Sequence, residues 1–215
     1  NYEYLKTQID IDNFINYQIS EMFFANIDWP ANNIKLWRPQ TENGKWRWIF
    51  YDLDASFNNI DYNMFVHSTS INESIPWSDP THPTFLFRNL LLNTQFVNQL
   101  ASRYAEILNE YFTTTSMIAK SGNIKELYEN EIESHISRWN FPDNYSIWEA
   151  DVEEKLIPFL EKRPCAVEKN LNEFLNTNSF HFDCNENVDI LNLTIAPNPN
   201  NGNFFIKNNT DQTIR

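Results

Sequence analysis

One stretch constrains the fold of this chain more than any other: NIDWPANNIKLWRPQTENGKWRWIFYDLDASF, from Asn26 to Phe57. Two β-prone runs, IKLWRP and WRWIFYDLD, flank the turn segment QTENGK. Asn43 and Gly44 both tolerate positive φ, so the pair predicts a hairpin. In front of it, IDIDNFINYQISEMFF carries Ile11, Phe14, Ile15, Ile19, Met22 and Phe23 at helical spacing. Asp10 or Asp12 can cap that helix. It should end near Asn26, because Pro30 biases Trp29 away from helical angles. The reading is a helix, a loop, a hairpin and a return toward the helix end.

Downstream, residues 58–83 carry Pro76, Pro80 and Pro83 among small polar residues and read as an irregular segment. It is long for a loop, which favours a functional or surface-covering role. TFLFRNLLLNTQFVNQLASRYAEILNEYF predicts two helices, with Asn93 or Thr94 capping the second. NIKELYENEIESHISRW places Ile124, Leu127, Tyr128, Ile132 and Ile136 on one stripe, with His135 beside it as a structural residue. SIWEADVEEKLIPFLEKRPCAVEKNLNEFL adds one or two helices, with a kink at Pro158. Beyond residue 176 the chain turns polar and Asn-rich. Short β-like runs follow, around Pro197-Asn198-Pro199 and Asn201-Gly202.

Composition excludes several functions. Aromatic residues make up 15% of the chain, which predicts a core built on rings. The only glycines are Gly44, Gly122 and Gly202, too few and too scattered for a Gly-rich phosphate loop. A net charge of −13 repels nucleic acid and anionic membranes. No apolar run approaches the ~20 residues of a membrane span. Cys165 and Cys184 have no C-x-x-C spacing and could pair or stay free. His67, His82, His135 and His181 form no metalloprotease motif, and no Gly-x-Ser-x-Gly elbow occurs. The chain opens on Asn1 without a Met or a signal sequence, so it reads as an excised or processed piece.

Within 26–57, Asp28 and Asn33 lie on the loop after the helix, and Asp52 and Asp54 end the second strand. Strand alternation would point Asp52 and Asp54 to one side. Carboxylates plus an amide oxygen suit a hard cation, Mg²⁺ held jointly with phosphates. The order Asp, four residues, Asn, hairpin, Asp is that of protein-kinase catalytic lobes. There the loop Asp orients the attacking hydroxyl, and the Asn and later Asp hold metal on the phosphates of ATP. Plainer readings stand beside this one. Asp52 and Asp54 could cap a turn, and Asp28 could cap the helix exit. DLDAS also resembles the start of a calcium loop, but Phe57 and Asn63 occupy its obligatory Gly and Glu positions. A D-x-D pair can serve a nucleotide-sugar transferase, yet no nucleotide-binding α/β repeat supports that.

The block NIDWPANNIKLWRP…GKWRWIFYDLDASF resembles the CotH family of secreted or spore-coat-associated atypical protein kinases. LFRNLLLNTQFVNQLASRYAEIL, Arg138-Trp139 and the Trp148, Phe159, Arg163 spacing are similar to its helical lobe. The resemblance implies an α+β, mainly helical fold: a kinase-like C-terminal lobe with a β-hairpin at the active site, plus a short C-terminal β segment. It makes Asp28 the catalytic Asp and Asn33 (or Asn32) and Asp52 ligands of Mg²⁺, with Asp54 a second ligand or support. ATP and a protein hydroxyl would be the substrates. Asn58 stands where the family usually has Gly, and Asn can take left-handed angles there. The upstream lobe with the ATP-binding Lys is not within these residues, so the expected unit is a catalytic-lobe portion. A non-catalytic surface module is the alternative. LNLTIAPNPNNGNFFIK resembles the start of a type IX secretion sorting domain. It implies export, a secreted or cell-surface location and the secretion machinery as partner. The expected organisation is a kinase-lobe portion over 1–176, a linker over 177–189 and a truncated sorting domain over 190–215.

Overall fold

In a computed structural model, residues 2–71 and 83–181 are described in full, and 193–196 and 205–208 by their backbone. Helix α1 (Tyr2–Gln8) leads into α2 (Ile11–Phe23). Asp10 caps α2, its carboxylate accepting the Asn13 N–H at 3.1 Å. The hairpin strands β1 (Lys35–Trp37) and β2 (Arg47–Ile49) follow, then the helices α3 (Met64–Thr69), α4 (Phe85–Leu90) and α5 (Thr94–Glu106). α6 (Thr114–Glu129), α7 (Ile132–Trp139), α8 (Tyr145–Ala150) and α9 (Ile157–Leu175) complete the helical part. Two compact units result, Asn1–Cys184 and Asn185–Arg215. In the second, β3 (Leu193–Ala196) pairs antiparallel with β4 (Phe205–Asn208), Leu193 opposite Asn208. Pro197-Asn198-Pro199, Asn201-Gly202, Cys184 and most of the expected linker lie outside the described residues. Among those residues no helix is long and apolar enough to cross a membrane.

Helix α2 is the centre of the first unit. It packs against β2, α3, α5 and α9. Its apolar stripe of Phe14, Ile15, Ile19, Met22 and Phe23 is buried, but so are Tyr17, Gln18 and Glu21. A helix covered this fully is a core helix rather than an amphipathic surface one. Each large apolar side chain sealed there contributes about 1.5–3 kcal/mol. Its ring partners are Trp48 at 4.6 Å from Phe14 and Phe112 at 4.7 Å from Phe23.

The start of α2 also holds the hairpin. Asp10 pairs with Arg47 at 2.8 Å, and its N–H donates to the Trp46 carbonyl at 3.0 Å. Asn13 accepts the Trp48 N–H at 2.7 Å and donates to the Trp48 carbonyl at 3.3 Å, standing in for a strand neighbour. Lys35 lies opposite Ile49, Leu36 opposite Trp48 and Trp37 opposite Arg47. Trp48 is half-buried, whereas Trp37 and Trp46 are exposed beneath Arg47 and Arg38.

The far end of α2 is held by Arg163 of α9, which is 1% exposed. Its Nε donates to the Phe23 carbonyl at 2.8 Å and one terminal nitrogen to Met22 at 2.7 Å. The other terminal nitrogen donates to Ile60 at 2.5 Å and Tyr62 at 2.9 Å. The last carbonyls of a helix lack intrahelical partners and carry the negative end of its dipole, so a cation there is favourable. Burial pushes the guanidinium pKa down to about 10, opposed by Tyr104 and Asp61, so it stays charged at neutral pH.

Several expected elements differ. β2 stops at Ile49, short of Asp52. Gly44 is needed for close approach rather than for positive φ: a Cβ there would lie 2.1 Å from the Pro39 carbonyl oxygen. Inside the expected irregular segment, Asn63 caps α3 by accepting the Phe65 and Val66 N–H groups. The stripe from Ile124 to Ile136 is broken between α6 and α7, and Ile124, Leu127 and Tyr128 are exposed. His135 is exposed as well. Pro158 is the second residue of α9, directly after a π-helical turn, Asp151–Leu156. Asn93 caps α5, its side chain accepting the Phe96 N–H at 3.0 Å.

Arg163→Met would take the guanidinium donors from the Phe23, Ile60 and Tyr62 carbonyls and should cost about 3–5 kcal/mol. Arg163→Lys, a point charge without the planar fork, should recover only part of that. Urea unfolding of both variants checks this; a Lys variant as stable as the wild type would refute it.

Candidate active site

The loop from Asn26 to Asn33 leaves α2 through Ala25, at φ 52°. Trp29 is 2% exposed and locks the loop against the core. His67 on α3 donates from Nε2 to the Trp29 carbonyl at 2.5 Å, which leaves Nδ1 to accept from the Tyr62 hydroxyl at 3.1 Å. Burial lowers the His67 pKa, opposed by its bond to Trp29, so the neutral tautomer these bonds require is favoured. The Asn32 N–H returns to the Asp28 carbonyl at 2.9 Å, closing the loop. Asp28 and Asn33 are half-buried, and Asn33 adopts φ 58°.

The second loop runs from Asp52 to Phe57. Asp52 and Asp54 are exposed, and Asp52 has φ 60°. They do not end a strand, and a left-handed Asp52 breaks the alternation that would set both side chains on one side. The left-handed residue near the expected Gly position is Phe57, at φ 64°, not Asn58. That angle is costly for a bulky side chain. Its ring compensates by packing at 5.2 Å from Phe24 and 5.4 Å from Phe159.

The two loops lie side by side. Phe57 N–H donates to the Phe24 carbonyl at 3.0 Å and Ile27 N–H to the Ala55 carbonyl at 3.4 Å. Asn26, fully buried, joins them through its side chain. Its Oδ1 accepts the Asp28 N–H at 3.3 Å, and its Nδ2 donates to Glu21 at 2.9 Å and to the Asp52 carbonyl at 3.4 Å.

Among the described residues no three His, Cys, Asp or Glu side chains gather into a metal-binding cluster. The donors present, three carboxylates and an amide on half-buried or open loops, fit a Mg²⁺ ion held by one or two side chains. Such an ion keeps waters and takes phosphate oxygens for its remaining positions.

The model of the CotH kinase protein family matches residues 1–167. The chain belongs to the CotH family. Comparison with curated proteins found no match, nor did comparison with solved structures. In this CotH chain the loops carrying Asp28, Asn33, Asp52 and Asp54 all fall inside the matched region.

Sequence reasoning missed Asn26 and Glu21. The signal was present: Glu21 follows Phe14 and Gln18 at helical spacing, on a face that must be buried. Its carboxylate is 0% exposed, and Oε1 has no hydrogen-bond partner. The buried Tyr17 hydroxyl lies near it without an aligned bond and has its own pKa raised, first by burial and then by Glu21. Burial pushes the Glu21 pKa up to about 7, opposed by Asn26 and Tyr17.

A carboxyl raised in the fold takes up its proton on folding. The Glu21 contribution to stability is therefore fully present below the unfolded pKa of about 4.5 and is lost as pH rises through about 7. The shift corresponds to about 3 kcal/mol. Denaturation of wild type and Glu21→Gln across this window should show the wild type losing stability relative to the variant as pH rises. Parallel profiles would contradict it.

Proposed function

We propose that this CotH-family chain carries the phosphate- and metal-handling loops of an atypical protein kinase. The reaction is transfer of the γ-phosphate of ATP to a protein hydroxyl. The single observation that supports this most is the pairing of the Asp28 loop with the Asp52 loop through Asn26, in a chain of this family. Asp28 orients the acceptor hydroxyl and receives its proton. Asn33 and Asp52 hold Mg²⁺, and Asp54 supports or completes that set. Bound Mg²⁺ supplies charge neutralisation for the phosphates. The rest of the contribution is positioning, which alone can lower such a barrier by several kcal/mol.

A non-catalytic surface module is the second reading. The observation favouring it is that the carboxylates of Asp28, Asp52 and Asp54 form no three-membered cluster. Mg²⁺-dependent ATP binding measured by calorimetry separates the two, since the module needs none. We also propose a secreted or cell-surface location, with residues 190–215 as the export segment and 177–189 as a linker. The support is the Pro-Asn-Pro pattern of that segment.

Radiolabelled phosphate transfer by the intact parent tests the kinase reading. Asp28→Ala and Asp52→Ala should each lower kcat by on the order of 100-fold or more. Undiminished activity in both would refute the assignment.

A further inference from the structure

We infer that Glu21 and Asn26 form a positioning pair that sets the Asp28 loop against the Asp52 loop. The catalytic meaning of the pair rests on the kinase reading above; its structural meaning does not. An Asn side chain has one carbonyl acceptor and two N–H donors. In Asn26 all are committed, the acceptor to the Asp28 N–H and the donors to Glu21 and the Asp52 carbonyl. It joins the Asp28 backbone before the hairpin to the Asp52 backbone after it.

Glu21 explains why the amide points the right way. Rotating the Asn26 amide by half a turn would set its NH₂ against the Asp28 N–H, donor against donor, and its oxygen against the Asp52 carbonyl. Glu21 Oε2 accepts from Nδ2 at 2.9 Å, an acceptor role that a carboxyl oxygen fills in either protonation state, and so holds the NH₂ toward itself. The Asn26 backbone is tied to the same residue, its N–H donating to the Glu21 carbonyl at 3.2 Å. The pair is fully enclosed, with Glu21 and Asn26 both 0% exposed, so water cannot replace either bond. An apolar residue would pack more favourably at position 21 than an acid with an unpartnered oxygen. That cost is intelligible if the acid's work is to orient an amide. Neither residue reaches the reacting atoms, so both are positioning residues, not catalytic ones.

The test uses the intact parent protein in four forms: wild type, Asn26→Ala, Glu21→Met and Glu21→Gln. Amide hydrogen exchange and the ¹H–¹⁵N signal of Asp28 report the positioning directly. Phosphate transfer from Mg·ATP to casein, as a generic acceptor, reports the catalytic consequence. In Asn26→Ala and Glu21→Met the Asp28 amide should exchange about 10-fold faster or more, the loss of one protecting hydrogen bond. Glu21→Gln keeps a carbonyl acceptor and should restore most of the protection. The kcat should follow the same order while the KM for ATP moves less than about 3-fold, as expected when geometry rather than binding is lost. If Asn26→Ala fails to fold, Glu21→Met against Glu21→Gln carries the comparison. Unchanged Asp28 exchange in the folded variants would overturn the positioning pair, whatever the activity. An inactive wild type with the expected exchange pattern would overturn the kinase reading and the catalytic role, and leave the pair as a structural link.

Discussion

A single buried guanidinium, Arg163, organises the part of the molecule on which the rest depends. It meets no carboxylate within the core. Instead it gathers four backbone carbonyls, two from the end of α2 and two from the segment entering α3. The charge is tolerated because the helix end is itself electronegative and because its four hydrogen bonds all go to backbone carbonyl acceptors. Three parts of the chain that are distant in sequence meet at this residue. The residues immediately after the helix end, Ala25 to Asp28, begin the first loop of the candidate site. What fixes α2 therefore fixes where Asp28 starts.

The site itself stores strain. Ala25, Asn33, Asp52 and Phe57 all adopt positive φ within about thirty residues, and for residues other than Gly this costs roughly 1–3 kcal/mol each. The packing that holds them is visible: the Phe57 ring among Phe24 and Phe159, Trp29 in the core, His67 on the Trp29 carbonyl. A raised Glu21 in the same place adds a further cost. Concentrated strain and a buried acid with one unpartnered oxygen lie beside two loops bearing acids and amides, a combination that marks a candidate functional site.

Much of this was legible in the sequence, because the signals were local. The spacing from Ile11 to Phe23 with Asp10 ahead of it gave α2 and its cap. Asn93 gave the start of α5. The two runs around Asn43-Gly44 gave the hairpin, and the acids around it gave the candidate residues. What escaped depended on three-dimensional neighbours. Strand β2 ends at Ile49, opposite Lys35 at the start of β1, and Asp52 beyond it turns left-handed. Gly44 matters through the Pro39 carbonyl it faces, five residues away and met only after the chain folds back. Phe57 accepts an angle its residue type disfavours because its half-buried ring packs against Phe24 and Phe159. The break between α6 and α7 leaves Ile124, Leu127 and Tyr128 exposed, although their spacing reads as a core stripe. Asn26 and Glu21 looked like ordinary helix-end polar residues, and only the bonds across the hairpin give them a role.

The central claim is that the Asp28–Asn33 loop and the Asp52–Asp54 loop form one cation and phosphate site. Mn²⁺ in place of Mg²⁺, added with ATP, tests it most directly, because the paramagnetic ion broadens only nearby amide signals. The account predicts that Asp28, Asn33, Asp52 and Asp54 broaden together at the same low Mn²⁺ concentration, and that Asp28→Ala with Asp52→Ala abolishes the effect. Broadening confined to one loop, or centred on acids elsewhere on this negatively charged chain, would contradict it.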